Sequence, residues 1–146
     1  MIEQPYPYFV LQEKTQYIFK SVGEKDVLKI VQISPLDEKD IWNLGFGDLG
    51  DDGFIDDLVV TNNHDAQKVL QTVAKIAIDF LEKYPDHTLE IKPVDTKRKR
   101  LYNGIFQRYF TELAPMFKII GIFGSKKETY NTLKIYDKFR ITNKSN

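Results

Sequence analysis

AQKVLQTVAKIAIDFLEKY, from Ala66 to Tyr84, decides the fold. Its apolar residues are Val69, Leu70, Val73, Ile76, Ala77, Phe80, Leu81 and Tyr84. Steps of three and four place them on one wide stripe, the pattern of an amphipathic helix with one buried face. Asn63 or Asp65 can cap its start, and Pro85 ends it. Lys75 and Asp79 stand one turn apart on the outer side, in reach of a weak pair.

Downstream the period changes and changes back. Leu89-Glu90-Ile91-Lys92-Pro93-Val94 reads as a strand. Asp95-Thr96 offers a second N-cap. Leu101, Tyr102, Ile105, Phe106, Tyr109, Phe110 and Leu113 then repeat the helical stripe as far as Pro115. Phe117–Phe123 is a strand, and Thr132–Ile141 alternates enough to be read as the last one.

Upstream, Tyr17-Ile18-Phe19, Val27–Ile33 and Ile41–Phe46 read as strands, with a short apolar piece at Leu58-Val59-Val60. Turns at Ser21-Val22-Gly23-Glu24 and Ser34-Pro35-Leu36-Asp37 separate the first three. The order β-β-β-(β)-α-β-α-β-β predicts an α+β domain with a mixed, mostly antiparallel sheet and two main helices. Residues 1–142 are expected to form this single domain, and the polar end of the chain, 143–146, to fray.

The bulk composition narrows function only by exclusion. The 146 residues are 42% apolar and carry 21 Lys plus Arg against 21 Asp plus Glu, so the formal charge is zero. That balance argues against a generally basic nucleic-acid binder and leaves room for a local patch. There is no cysteine, which removes disulfides and thiolate chemistry. No stretch resembles a signal peptide or a membrane span, so a cytoplasmic protein without membrane attachment is the expectation.

The stretch NLGFGDLGDDGFIDDL, Asn43–Leu58, holds five aspartates and four glycines and no cation. Counted from Asp48 as an EF-hand calcium loop, it has Asp52 at position 5, Gly53 at 6, Ile55 at 8 and Asp56 at 9. Gly50 offers no ligand at position 3, and Val59 replaces the bidentate Glu at 12. Strands flank it where helices are needed. Asp48, Asp52 and Asp56 remain as the residues of a looser cation site, with no metal assigned. The favoured reading is a strand, Ile41 to Phe46, followed by a solvated turn, Gly47 to Asp57.

Four consecutive cations, Lys97-Arg98-Lys99-Arg100, occupy the first turns of the second helix. Cations are unfavourable at that end of a helix dipole, so an anion should answer them. The acidic stretch, a phosphate ligand or a nucleic-acid backbone would each serve. Neighbouring helical residues point in different directions, so all four cannot grip one ligand. His64 and His87 lack the spacing of a zinc site and are expected at the surface.

Two resemblances follow from these residues. The blocks Asn43–Asp48, Asn62–Ala74 and Thr96–Tyr102 resemble those of a small bacterial family, a domain of unknown function, which implies no activity. The element order from Leu58 to Phe123 is similar to the GNAT acetyltransferase fold, and Leu101-Tyr102 stands where that fold often carries Leu-Tyr. The resemblance implies acyl transfer from coenzyme A with Tyr102 as the general acid. The turn Asn62-Asn63-His64-Asp65-Ala66-Gln67, however, has none of the glycines that let a pyrophosphate approach the helix. Asp65 would set a carboxylate in the phosphate position.

The residues therefore favour a noncatalytic binding or interaction protein with no cofactor, joined to a protein partner or to a second copy of itself. Asp65, Lys97, Arg98, Arg100 and Tyr102 are its expected binding residues. An atypical GNAT-like acyltransferase using Tyr102 is the alternative. Nucleic-acid binding through residues 97–100, with Tyr102 and Tyr109 stacking, is the third reading.

Overall fold

The structure is a computed structural model, and it describes residues 4–53, 55–56 and 64–144. Its elements are β1 (Tyr8–Gln12), β2 (Gln16–Val22), β3 (Asp26–Pro35), β4 (Ile41–Leu49), β5 (Ile55–Asp56), α1 (Ala66–Lys83), β6 (Thr88–Ile91), α2 (Thr96–Leu113), β7 (Phe117–Phe123), β8 (Lys126–Thr129) and β9 (Lys138–Asn143). The class is α+β, with mostly antiparallel strand pairs and two helices, as the hydrophobic periods predict. The chain clusters into two compact units, Ile2–Ser34 with Leu44–Phe80 and Pro35–Asn43 with Leu81–Asn146. β4 and α1 run through both.

In the first unit the strand order is β1-β2-β3-β4, with β5 beside β4. The β1–β2 and β2–β3 pairs are antiparallel hairpins. Phe19, Ile30, Val31 and Ile33 are almost fully buried. On α1, Val69, Val73, Ile76, Ala77 and Phe80 are buried, the stripe read from the sequence. The polar exception, Thr72, bonds back to the Lys68 carbonyl and accepts the Tyr6 amide at 2.8 Å, which fastens the N-terminal segment to the helix. Tyr8, two residues further on, does the same by donating to Asp79 Oδ2 at 2.7 Å. Asp79 also takes the expected Lys75 pair at 3.0 Å.

In the second unit the order is β4-β6-β9-β7-β8. β4 and β6 are parallel, from Ile41↔Thr88 to Asn43↔Glu90. A parallel pair needs a long crossover connection, and α1 lies within it. β6–β9, β7–β9 and β7–β8 are antiparallel. α2 packs through Phe106, 4.2 Å from the Phe139 ring, and through Phe110, 5.2 Å from Tyr130.

Four expectations are corrected. Thr132–Ile141 is not one strand. β8 ends at Thr129, and Asn131 closes a turn by accepting the Leu133 amide on its side chain and the Lys134 amide on its carbonyl. Leu133 and Ile135 point to solvent, while Tyr136 is fully buried, so the apparent alternation spans a turn. The chain end is less frayed than expected: Asn143 pairs with Phe117 in β9, and the Lys144 amide donates to the Met116 carbonyl. The strand β4 does not stop at Phe46. It continues to Leu49 and pairs with β5 (Asp48↔Asp56, Leu49↔Ile55), so part of the expected turn is a hairpin. His87 is buried rather than at the surface, and it stacks with the rings of Trp42 and Tyr84. The strand expected at Leu58-Val59-Val60 lies outside the described residues. β1 was not legible as a strand.

Candidate functional site

The acidic hairpin is built around a buried ion pair. Asp48 sits near the end of β4 and Lys29 in the middle of β3, and their side chains are buried against each other in direct contact. A carboxylate in an apolar setting is retained only where a cation meets it. Lys29, which the alternation of β3 hides among apolar residues, is therefore the answer to Asp48. Asp52 is exposed in the turn that follows, and Asp56 pairs with Asp48 through its backbone. Of the three aspartates, Asp48 is thus engaged by Lys29.

At the head of α1, Asp65 directly precedes the helix, and its carbonyl accepts from the Val69 amide. Its carboxylate receives the hydroxyls of Tyr6 and Ser21, both at 2.5 Å. Ser21 is fully buried and Tyr6 nearly so. Burial, and then the bond to Asp65, raise the Tyr6 phenol above its usual range. The Lys68 ammonium lies over the same ring, 4.4 Å from its centre. Sequence reading placed Asp65 at the helix start but had no means of finding Tyr6 and Ser21, which come from residues 59 and 44 positions away.

The head of α2 is organised by its own acid. Asp95 has extended backbone and caps the helix, accepting the Arg98 amide at 2.7 Å and the Arg98 guanidinium at 2.6 Å. The bond from the Arg98 amide holds the Asp95 carboxyl below the usual carboxylate range, with the charge of Arg98 adding to it. Lys99 reaches across to Asp137 at 2.7 Å, and Asp137 also accepts the Gly124 amide. Lys97 and Arg100 are exposed. The expected anion is therefore local, and the four cations diverge as helical geometry requires. Tyr102 is buried in α2, and burial pushes its phenol up to about 12, with Arg98 opposing. Asp65 belongs to one unit, and Lys97 to Tyr102 belong to the other.

Two further polar clusters occupy the second unit. Arg140 on β9 donates to Glu90 on β6 at 3.0 Å and to Glu38 at 3.2 Å. Lys138 meets the same Glu90 at 3.3 Å, so one buried carboxylate serves two cations. The bonds from Arg140 lower Glu38 below its ordinary range. The second cluster is His87 with Asp86 and Asp40, framed by Trp42 and Tyr84. Its members are spread from 40 to 87 in sequence, and the turn signals around Pro35 and Pro85 gave no hint that they meet. A shallow cavity of about 380 Å³ lies beside Phe110, Phe117, Thr142 and Lys144. No helix among the described residues is long and apolar enough to cross a membrane.

A family model described as a family of unknown function (DUF6934) matches residues 2–144. No curated protein and no solved structure matches the chain.

Proposed function

The chain belongs to DUF6934, a family of unknown function, and from its geometry we propose that it is a noncatalytic interaction protein that pairs with a second copy of itself along β1. The observation that supports this is the character of that strand. β1 stands at the end of its strand order, and it is paired along one side only among the described residues. Phe9, Val10 and Leu11 are 66%, 50% and 52% exposed. An open strand edge displays unpaired amides and carbonyls, and native proteins usually guard it with Lys or Pro. Tyr8–Gln12 contains neither. β8, at the end of the other strand order, is guarded in the usual way by Lys126, Lys127 and Glu128.

An unguarded apolar edge suits strand addition by a protein partner. A second β1 is the simplest such strand. Antiparallel pairing about a two-fold axis gives both copies the same contacts, and the segment carries no charge to repel its image. The engaged side chains elsewhere favour the same reading. Asp65, Arg98 and Lys99 are committed to internal partners.

Sedimentation over a range of concentrations tests the proposal. A dimer is expected for the native chain. Val10→Lys is expected to shift it to monomer while leaving the far-ultraviolet spectrum unchanged, because Val10 is half exposed. A native chain that stays monomeric throughout, or a dimer indifferent to Val10→Lys and Phe9→Lys, overturns it.

A further inference from the structure

The turn between α1 and β6 brings three metal-ligating side chains to one place. His87 Nδ1 lies 3.0 Å from Asp86 Oδ1 and 3.9 Å from Asp40 Oδ1. One donor atom from each of the three residues falls within 4.8 Å of the others. We propose that Asp40, Asp86 and His87 bind a first-row divalent metal ion, with zinc as the representative.

The spacing fits the ion. Zinc sits about 2.0–2.2 Å from imidazole nitrogen and carboxylate oxygen, so neighbouring donors stand about 3.0 Å apart at right angles and about 3.4 Å apart in a tetrahedron. The His87–Asp86 separation already has this value. The His87–Asp40 separation needs a closure of about half an ångström to reach the tetrahedral value. One imidazole and two carboxylates are a borderline donor set that suits Zn²⁺, Mn²⁺ and Co²⁺ and leaves positions for water. The carboxylates of Asp40 and Asp86 are 42% and 73% exposed, which gives an ion a path from solvent.

The imidazole is the anchored member. Its ring stacks with Trp42, at 5.5 Å and 9°, and with Tyr84, at 5.5 Å and 17°. Two near-parallel ring contacts restrict the plane of the imidazole. The backbone is pinned on both sides: the His87 amide donates to the Tyr84 carbonyl at 3.0 Å, and the Thr88 amide donates to the Asp40 carbonyl at 2.8 Å. Preorganised ligands on a fixed frame lose little entropy when an ion arrives. The site is built from residues distinct from β1, so it stands or falls separately from the dimer.

The chain has one tryptophan, and it lies against the proposed ligand. Titration of the untagged protein with Co²⁺ is therefore expected to quench Trp42 fluorescence saturably, with one site per chain and reversal by Zn²⁺. Calorimetry with Zn²⁺ should give the same stoichiometry. His87→Gln and Asp86→Asn should each weaken binding by at least about tenfold. Asp86→Asn changes an exposed side chain, so it keeps the test valid if His87→Gln fails to fold. His64→Gln is expected to leave the affinity unchanged. Absence of saturable quenching would overturn the proposal. Binding that survives Asp86→Asn, or that is lost with His64→Gln, does the same.

Discussion

Asn103 holds both backbone polar groups of Tyr136. Its side-chain amide donates to the Tyr136 carbonyl at 2.9 Å, and its side-chain oxygen accepts the Tyr136 amide at 2.9 Å. The pair ties α2 to the segment ahead of β9, and both residues are buried. The same side-chain nitrogen also donates to the Lys99 carbonyl one turn back. This is how a polar residue in the middle of an apolar helical stripe is satisfied.

Asn103→Leu should therefore cost more than a lost contact. Two buried backbone groups of Tyr136 would lose their partners, each at about 1–3 kcal/mol, for a total of roughly 2–6 kcal/mol. Asn103→Gln, which keeps both an acceptor and a donor on a longer side chain, should cost less. Urea denaturation of the two variants checks the order, and equal losses would contradict it.

Gly121→Ala should destabilise the fold through the same tyrosine. A Cβ at position 121 would meet the Tyr136 ring at 2.4 Å, inside van der Waals contact. That ring is locked between the Asn131 amide and Glu128, so it cannot easily move aside. Overpacking of this kind costs about 1–3 kcal/mol, read as a lower midpoint in thermal melts. Gly104→Ala, where nothing stands in the way, should be harmless or stabilising.

Lys29→Met should be severe, because it leaves the Asp48 carboxylate buried without its cation. Breaking such a pair from one side costs about 3–5 kcal/mol. The double variant Lys29→Met with Asp48→Leu should recover most of that loss. A double-mutant cycle by chemical denaturation measures the recovery; additive losses would mean that the two residues do not interact.

Acid should weaken the second unit through its surface carboxylates. Asp137 is held below its ordinary value of 3.8 by Lys99 and then by the Gly124 amide. Glu128 is held below 4.5 by Lys134 and then Tyr136, and Glu38 is held there by Arg140. A carboxylate with a lowered folded-state pKa binds protons less readily in the folded chain than in the unfolded one. Its stabilisation is present above the unfolded value and is lost as pH falls through the folded value. Stability should thus decline as pH drops below about 4.5. Asp137→Asn should make the decline shallower, which denaturation midpoints between pH 5 and pH 2.5 can establish.

Local chemistry was determined by the sequence alone. Two amphipathic stripes, the Asp95 cap, Pro85 and Pro115 as helix stops, and the alternation of Val27–Ile33 each depend on neighbours within a few residues, and each yields its element directly. Elements whose residues face no core carry no such signal. β1, with Phe9 to Leu11 exposed, exists because β2 supplies its hydrogen bonds, and the Asn131 turn exists because one side chain closes it. Partnership over distance was likewise decided only by the tertiary structure. Lys29 meets Asp48 across 19 residues, Tyr6 meets Asp65 across 59, and Arg140 meets Glu38 across 102. His87 joins Asp40 and Trp42 in the same way. The physical reason is that a charge or an imidazole reads alike along the chain whether it is solvated or buried. Which of the two it becomes depends on what the fold lays against it, and strand pairing sets that between residues far apart in sequence.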